Sequence, residues 1–235
     1  MSLSRSEHLR ITGGYQMICY IITETREKYD GMDCHAIKHD LEKLSGDLCL
    51  VMHFSQVTRE FIETARPWAI CHSGGGTPHD EYDVLEREDY TWLITASGIP
   101  QIGFCGGHQL IAEMFGCEVA TMRELRDDEP DLNADYHPGL FKESGIWPVR
   151  IVADDPLFEG LPEIVRVRQA HRSEIKQLPE GFRLLASSKD CEIQAMAHET
   201  MPLYGVQFHP ESRQEHYPDG HAIVSNFFKI AREQG

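Results

Sequence analysis

The sequence predicts an α/β fold: an open, mostly parallel sheet flanked by helices, with additional short antiparallel strands in the C-terminal half. Three observations carry this expectation. Apolar runs of strand length alternate with helical patterns through the first half of the chain, as βαβ units do. Two glycine-rich turns follow strands directly, at Gly74-Gly75-Gly76 and around Cys105. Beyond residue 146, short β-like runs are separated by turns such as Asp155-Pro156, Leu161-Pro162, Pro179-Glu-Gly181 and Met201-Pro202.

In chain order, residues 1–14 read as a polar N-terminal extension without the apolar core of a signal peptide, and 15–235 as a single domain. Tyr15 to Thr23 is a continuous apolar run, the pattern of a strand covered on both faces. Glu24 to Gly46 is polar and contains one short helix. Leu48 to Phe54 reads as a second buried strand, and Ser55 to Arg66 as a helix capped by Ser55. A third strand, Trp68 to Cys71, runs into His72-Ser-Gly-Gly-Gly-Thr-Pro78. Asp83 to Ser97 is helical. Met122 to Asn133 is a charged loop, with Asp127, Asp128 and Glu129 as solvated charge. Strands follow at 147–152, 164–170, 182–187, 193–198 and 203–208, and a last helix spans His221 to Glu233.

Composition narrows the function. The 235 residues are 41% hydrophobic and 26% charged, as in an ordinary soluble protein, with a formal net charge of −16. So acidic a chain lacks the basic footprint that nucleic acid or an anionic membrane requires. No apolar run is long enough to span a bilayer. The seven cysteines (19, 34, 49, 71, 105, 117 and 191) are scattered and form no CxxC pair, which favours a reducing cytoplasm over a disulfide framework. Cys117 and Cys191 read as core. Thirteen histidines form neither HxH nor HExxH, so no metal and no cofactor is expected.

The chemistry concentrates at Ile99-Pro-Gln-Ile-Gly-Phe-Cys105-Gly-Gly-His-Gln109. A buried strand turns at Cys105 straight into a helix, which holds the turning residue in a sparsely allowed backbone region. Glycines at 103, 106 and 107 leave no side chain to clash there. The mechanics are those of the G-x-S-x-G nucleophile elbow with cysteine replacing serine, and a thiol at a helix N-terminus is favoured as thiolate. A cysteine nucleophile needs a base. His209 ends the strand Leu203 to Phe208, where Pro210 stops the ladder, and Glu211 is placed to hold its second ring nitrogen. The N–H of Gly106 and the loop 74–76 can face an oxyanion. His108 packs or caps within the elbow helix, and His72 and His79 flank the glycine loop as candidate cleft linings.

Gly103-Phe-Cys105-Gly-Gly107-His-Gln109, Gly205-Val-Gln-Phe-His209-Pro-Glu211 and the glycine loop occur together and in order. In this the chain, from Tyr15 to Ile230, resembles the class I (triad-type) glutamine amidotransferases. The segments Gln169 to Ile175, Leu178 to Phe182 and Ala186 to Ser188 are similar to the glutaminase domain of GMP synthase, and also to stand-alone γ-glutamyl peptidases of this type.

The resemblance implies a flavodoxin-like sheet and L-glutamine as substrate. It makes Cys105 the nucleophile, His209 the acid/base and Glu211 its orienter. Gly75, Gly76 and Gly106 form the oxyanion hole, and Gln109 and His171 lie on the substrate side. Cys105 would form a γ-glutamyl thioester and release ammonia to a separate synthase subunit. The alternatives are a stand-alone γ-glutamyl hydrolase and a non-catalytic regulatory member of the fold.

Two features depart from the family pattern. Gly106 stands where a larger side chain is usual, and Glu24-Thr-Arg-Glu-Lys28 follows the first strand instead of the typical opening. No P-loop pattern or ATP-pyrophosphatase segment occurs in these residues.

Overall fold

The first strand, β1 (Met17–Ile22), shows how the two layers are built. Its side chains alternate, so Ile18, Tyr20 and Ile22 enter one apolar layer while Cys19 and Ile21 enter the other. Both faces are covered, which is why the run is apolar throughout rather than alternating. The computed structural model describes residues 16–234, and the polar lead-in over 1–14 lies outside them.

Around β1 the chain forms a nine-stranded sheet. Its remaining strands are β2 (Leu48–His53), β3 (Ala69–His72), β4 (Gln101–Phe104), β6 (Glu143–Ile151), β7 (Ile164–His171), β9 (Phe182–Ser187), β10 (Ala195–His198) and β11 (Leu203–Val206). The order is β2-β1-β3-β4-β11-β10-β9-β6-β7. The first five run parallel, and the rest add antiparallel pairings beyond β11. The expected mixture of a parallel sheet with later antiparallel strands is therefore present. The order β2-β1-β3-β4-β11 is the flavodoxin-like one, with its switch point between β1 and β3. Two short strands, β5 (Val119–Thr121) and β8 (Ser173–Ile175), pair separately.

Helices α2 (His35–Ser45) and α6 (Asp219–Gln234) cover one face, contributing Leu41, Ile223 and Phe227 to its core. Helices α3 (Arg59–Ala65), α4 (Glu88–Ala96) and α5 (Gly106–Met114) cover the other through Ile62, Leu93 and Leu110.

Several local expectations need correction. The segment 24–46 holds two helices, α1 (Arg26–Asp30) and α2, and Gly46 ends the second with φ of 78°. Strand β2 is an edge strand, leaving Leu48 and Leu50 exposed. Residues 54–56 form a 3-10 turn, and the cap of α3 is Thr58, whose hydroxyl accepts from Phe61 N–H, rather than Ser55. Strand β6 begins at Glu143, four residues before the apolar pattern becomes visible.

The charged excursion is also more structured than a solvated loop. Both carboxylate oxygens of Glu129 bind Arg123, at 2.5 and 2.8 Å. Met122, Phe141 and Cys191 form a small core beneath it.

Candidate active site

Because β1, β3, β4 and β11 are parallel, their carboxyl ends open on one edge, where sites in such sheets lie. Phe104 stands opposite Val206, and Gly103 opposite His72. The turn after β4, the segment after β11 and the loop after β3 therefore meet side by side.

At the first of these, Cys105 has φ of 47° and ψ of −104°, a strained conformation for a residue with a side chain. The turn is held at three points. Cys105 N–H donates to Val206 O at 2.8 Å, Gly107 N–H to Ser73 O at 2.9 Å, and Gln109 N–H to Cys105 O at 3.0 Å. Gly106 is required by close approach, since a Cβ there would lie 2.5 Å from the Gly75 nitrogen. Gly74 is similarly constrained, because a Cβ would lie 2.6 Å from Cε1 of His209.

The imidazole of His209 binds Glu211 through Nδ1 at 2.8 Å, which leaves Nε2 free on the ring beside Cys105. Glu211 is 3% exposed. Burial works against charge on His209, but the Glu211 carboxylate and Cys105 outweigh it and raise the imidazole to about 10. The balance favours the protonated ring beside the sulfur.

Gln207, not singled out from sequence, completes the arrangement. Its amide donates to Cys105 Sγ at 3.6 Å, and its carbonyl accepts from Gln109 Nε2 at 3.0 Å. Its spacing of two from His209 was the available signal, because alternate residues of an extended segment share a face.

The glycine loop behaves differently at each residue. Gly75 N–H and Gly106 N–H have no protein acceptor among the described residues. Gly76 N–H, by contrast, donates to Oε1 of Glu24 at 2.5 Å. Gly76 is therefore not a free oxyanion donor, because a buried carboxylate already takes its hydrogen. The sequence marked Glu24 only as part of an unusual segment after the first strand, with no partner or role.

A cleft of about 390 Å³ lies along this edge, lined in part by Gly75, Gly76, Gln109, Glu113, Arg172 and Ser173. Gln109 is anchored at its wall by a bond from its amide to Ser173 O at 2.9 Å. Cys117 is half-buried, packing against the apolar layer and also lining the cleft. His79 reaches the cleft and pairs with Glu113.

His72 does not reach it. It is fully buried between Tyr90 OH at 2.7 Å and Gln101 Oε1 at 2.9 Å. His171 spends both ring nitrogens internally, on Glu143 Oε2 at 2.9 Å and Ser173 O at 3.0 Å. Glu143 also accepts from Gln194 at 2.6 Å and Ser188 at 2.7 Å, so His171 belongs to a buried polar network rather than to the cleft. From the excursion, Tyr136 reaches back over the mouth. Its hydroxyl accepts from Arg172 at 3.1 Å and would lie 3.4 Å from a Cβ on Gly76.

A thiol on a strand-to-helix elbow, with a carboxylate-held imidazole and unpaired N–H groups beside it, is an arrangement capable of acyl transfer. The family follows from the whole chain. Residues 30–231 match the model of the family described as "Glutamine amidotransferase class-I", and the chain belongs to that family.

Among curated relatives, the glutamine-hydrolyzing GMP synthase subunit from Pyrococcus abyssi is 36% identical over 177 residues, covering 74% of this chain and 81% of that protein. The protein of the same name from Methanosphaera stadtmanae is 34% identical over 197 residues, covering 83% and 91%. A crystal structure of a candidate GMP synthase subunit from Thermoplasma acidophilum superposes with a TM-score of 0.72 at 26% identity, covering 94% of this chain and 96% of that one. No helix of the described residues is long and apolar enough to cross a membrane.

Proposed function

We propose that this protein is a glutaminase that hydrolyses the side-chain amide of L-glutamine and passes the ammonia to a separate synthase subunit, of the kind that forms GMP. The observation that carries the reading is the gathering of Cys105, His209 and Glu211 after the parallel strands β4 and β11, beside the cleft that Gly75 and Gln109 line. The names of the relatives support the synthase partner.

In this mechanism Cys105 Sγ attacks the γ-carbon, and the carbonyl oxygen becomes an oxyanion against the N–H groups of Gly75 and Gly106. His209, charged at the outset, donates its proton to the amide nitrogen as the C–N bond breaks. Ammonia leaves and a γ-glutamyl thioester remains. Water then attacks the thioester carbon while His209 takes its proton. The C–S bond breaks, and glutamate and the Cys105 thiolate are released. Glu211 keeps the ring oriented through both halves. Arg172 and Glu113 place opposite charges along the cleft, which suits the carboxylate and ammonium of a free amino acid.

The test is glutamine turnover by the purified chain, alone and with a GMP-forming synthase subunit, beside a panel of γ-glutamyl amides and peptides. Glutamine hydrolysis that rises with the synthase, and is absent in C105A, is the expected result. Preference for γ-glutamyl peptides over glutamine would replace it with the hydrolase reading. No turnover of any substrate would refute both.

A further inference from the structure

The two places where the sequence departs from its family pattern, Glu24 and Gly106, meet through the glycine loop. Thr23 follows β1 and joins Ser73 by two bonds of 2.9 Å, Thr23 N–H to Ser73 Oγ and Thr23 Oγ1 to Ser73 O. Glu24, 4% exposed, then accepts from Gly76 N–H at 2.5 Å, Thr77 N–H at 3.1 Å and Thr77 Oγ1 at 2.6 Å. Lys28 braces the same cluster, with Nζ 3.3 Å from Glu24 and 2.6 Å from Thr77 Oγ1. Across the loop, the missing side chain of Gly106 makes room for the Gly75 nitrogen.

We propose that Glu24 is a positioning residue for the oxyanion site: by taking the N–H groups of Gly76 and Thr77, it leaves Gly75 N–H free and fixes it against Gly106. The inference rests on the glutaminase reading and deepens it. Three successive glycines have the greatest backbone freedom of any tripeptide, so an unanchored loop would sample many orientations of the Gly75 amide. An ionised carboxylate suits the task because it only accepts, and two adjacent N–H groups can share one oxygen. Donors bonded to Glu24 lower its carboxyl below the ordinary value, although burial alone would raise it. The carboxylate is thus ionised throughout the working pH range. Gly106 complements it, since any side chain there would push the loop away.

The experiment compares E24A, E24Q and T77V with wild type in steady-state glutaminase kinetics, beside the rate of Cys105 alkylation by iodoacetamide. Alkylation needs the thiolate but no oxyanion donor, so it separates the two roles of the site. E24A is expected to lose kcat by about 10²-fold while KM changes by less than about threefold. Alkylation of Cys105 should stay within about twofold of wild type, because the thiol environment is untouched.

E24Q keeps the accepting oxygen and should recover at least about tenfold over E24A, and T77V should lose about three- to tenfold. If E24A does not fold, T77V and E24Q decide the matter. The losses in E24A and G106A should combine less than multiplicatively, because both disturb the same Gly75 contact. A kcat in E24A or T77V within twofold of wild type, or a parallel loss of turnover and alkylation, overturns the inference while the glutaminase reading stands. Absence of glutamine turnover in the wild type instead overturns the function itself.

Discussion

At the residue scale, Glu211 is placed to favour charge on its neighbour. It is buried and donates no hydrogen, and its Oε1 accepts from His209 Nδ1 at 2.8 Å. Its negative charge helps raise the imidazole to about 10. In E211Q that charge is removed, so the His209 value should fall toward its ordinary 6.5 or below, where burial directs it. The imidazolium would then be lost near neutrality. The alkaline limb of the kcat/KM profile should move to lower pH by at least about one unit, with activity down about 10²- to 10⁴-fold. A profile whose alkaline limb does not move would show that Glu211 holds the ring without setting its charge. Glu211 was legible because it lies two residues from His209 in a Pro-interrupted strand end. Glu24 was not, because its partners lie some fifty positions away.

At the scale of elements, buried histidines tie the layers together. His72, at the end of β3, bridges Tyr90 on α4 and Gln101 on β4. His108, on α5, reaches Ile193 O at 3.1 Å. Burial drives His72 down to about 4 and His108 to about 3, so both are neutral in the fold. A histidine in the unfolded chain takes up a proton near pH 6.5. Their contribution is therefore complete above pH 6.5 and is lost as pH falls from there through about 4. Urea unfolding at pH 7 and pH 4.5 should reveal this acid loss, and H72Q should reduce the difference by about 2 kcal/mol. An unchanged difference in H72Q would assign the acid sensitivity to other groups. The sequence placed His72 beside the glycine loop, but strand register turned its ring inward. The same limit applied to β2: an apolar run looks alike in a central strand and at an edge, and only pairing distinguishes them.

For the molecule as a whole, α6 closes one face of the sheet and packs beside β11 and near the starts of β2 and β3. Phe227 is fully buried, its ring 6.2 Å from that of Tyr204 on β11, and Phe228 packs edge-on against Trp68 at 5.6 Å. Arg232 adds an ion pair with Asp47 and lies 4.1 Å above the Trp68 ring. Truncation of Phe227 leaves a cavity under the strand that delivers His209. F227A should cost about 3–5 kcal/mol, read as a lower urea midpoint with little change in the slope of the transition. A loss below about 1 kcal/mol would mean that the layer relaxes around the gap.

Local pattern decided a great deal of this protein. The order of strands and helices, the elbow at Cys105, and the positions of His209 and Glu211 depend on neighbours a few residues away, and such neighbours are visible in a sequence. What the chain brings together over distance was settled only in three dimensions. Gly75 and Gly76 are indistinguishable as letters, yet one N–H is free and the other is bound, because Glu24 arrives from 52 residues upstream. His171 lies in a segment similar to the glutaminase domain of GMP synthase and still turns into a buried network, because Glu143 stands beside it on the neighbouring strand. Residue type and spacing specify which groups could do chemistry. Which of their hydrogens remain unspent depends on partners that only the folded sheet supplies.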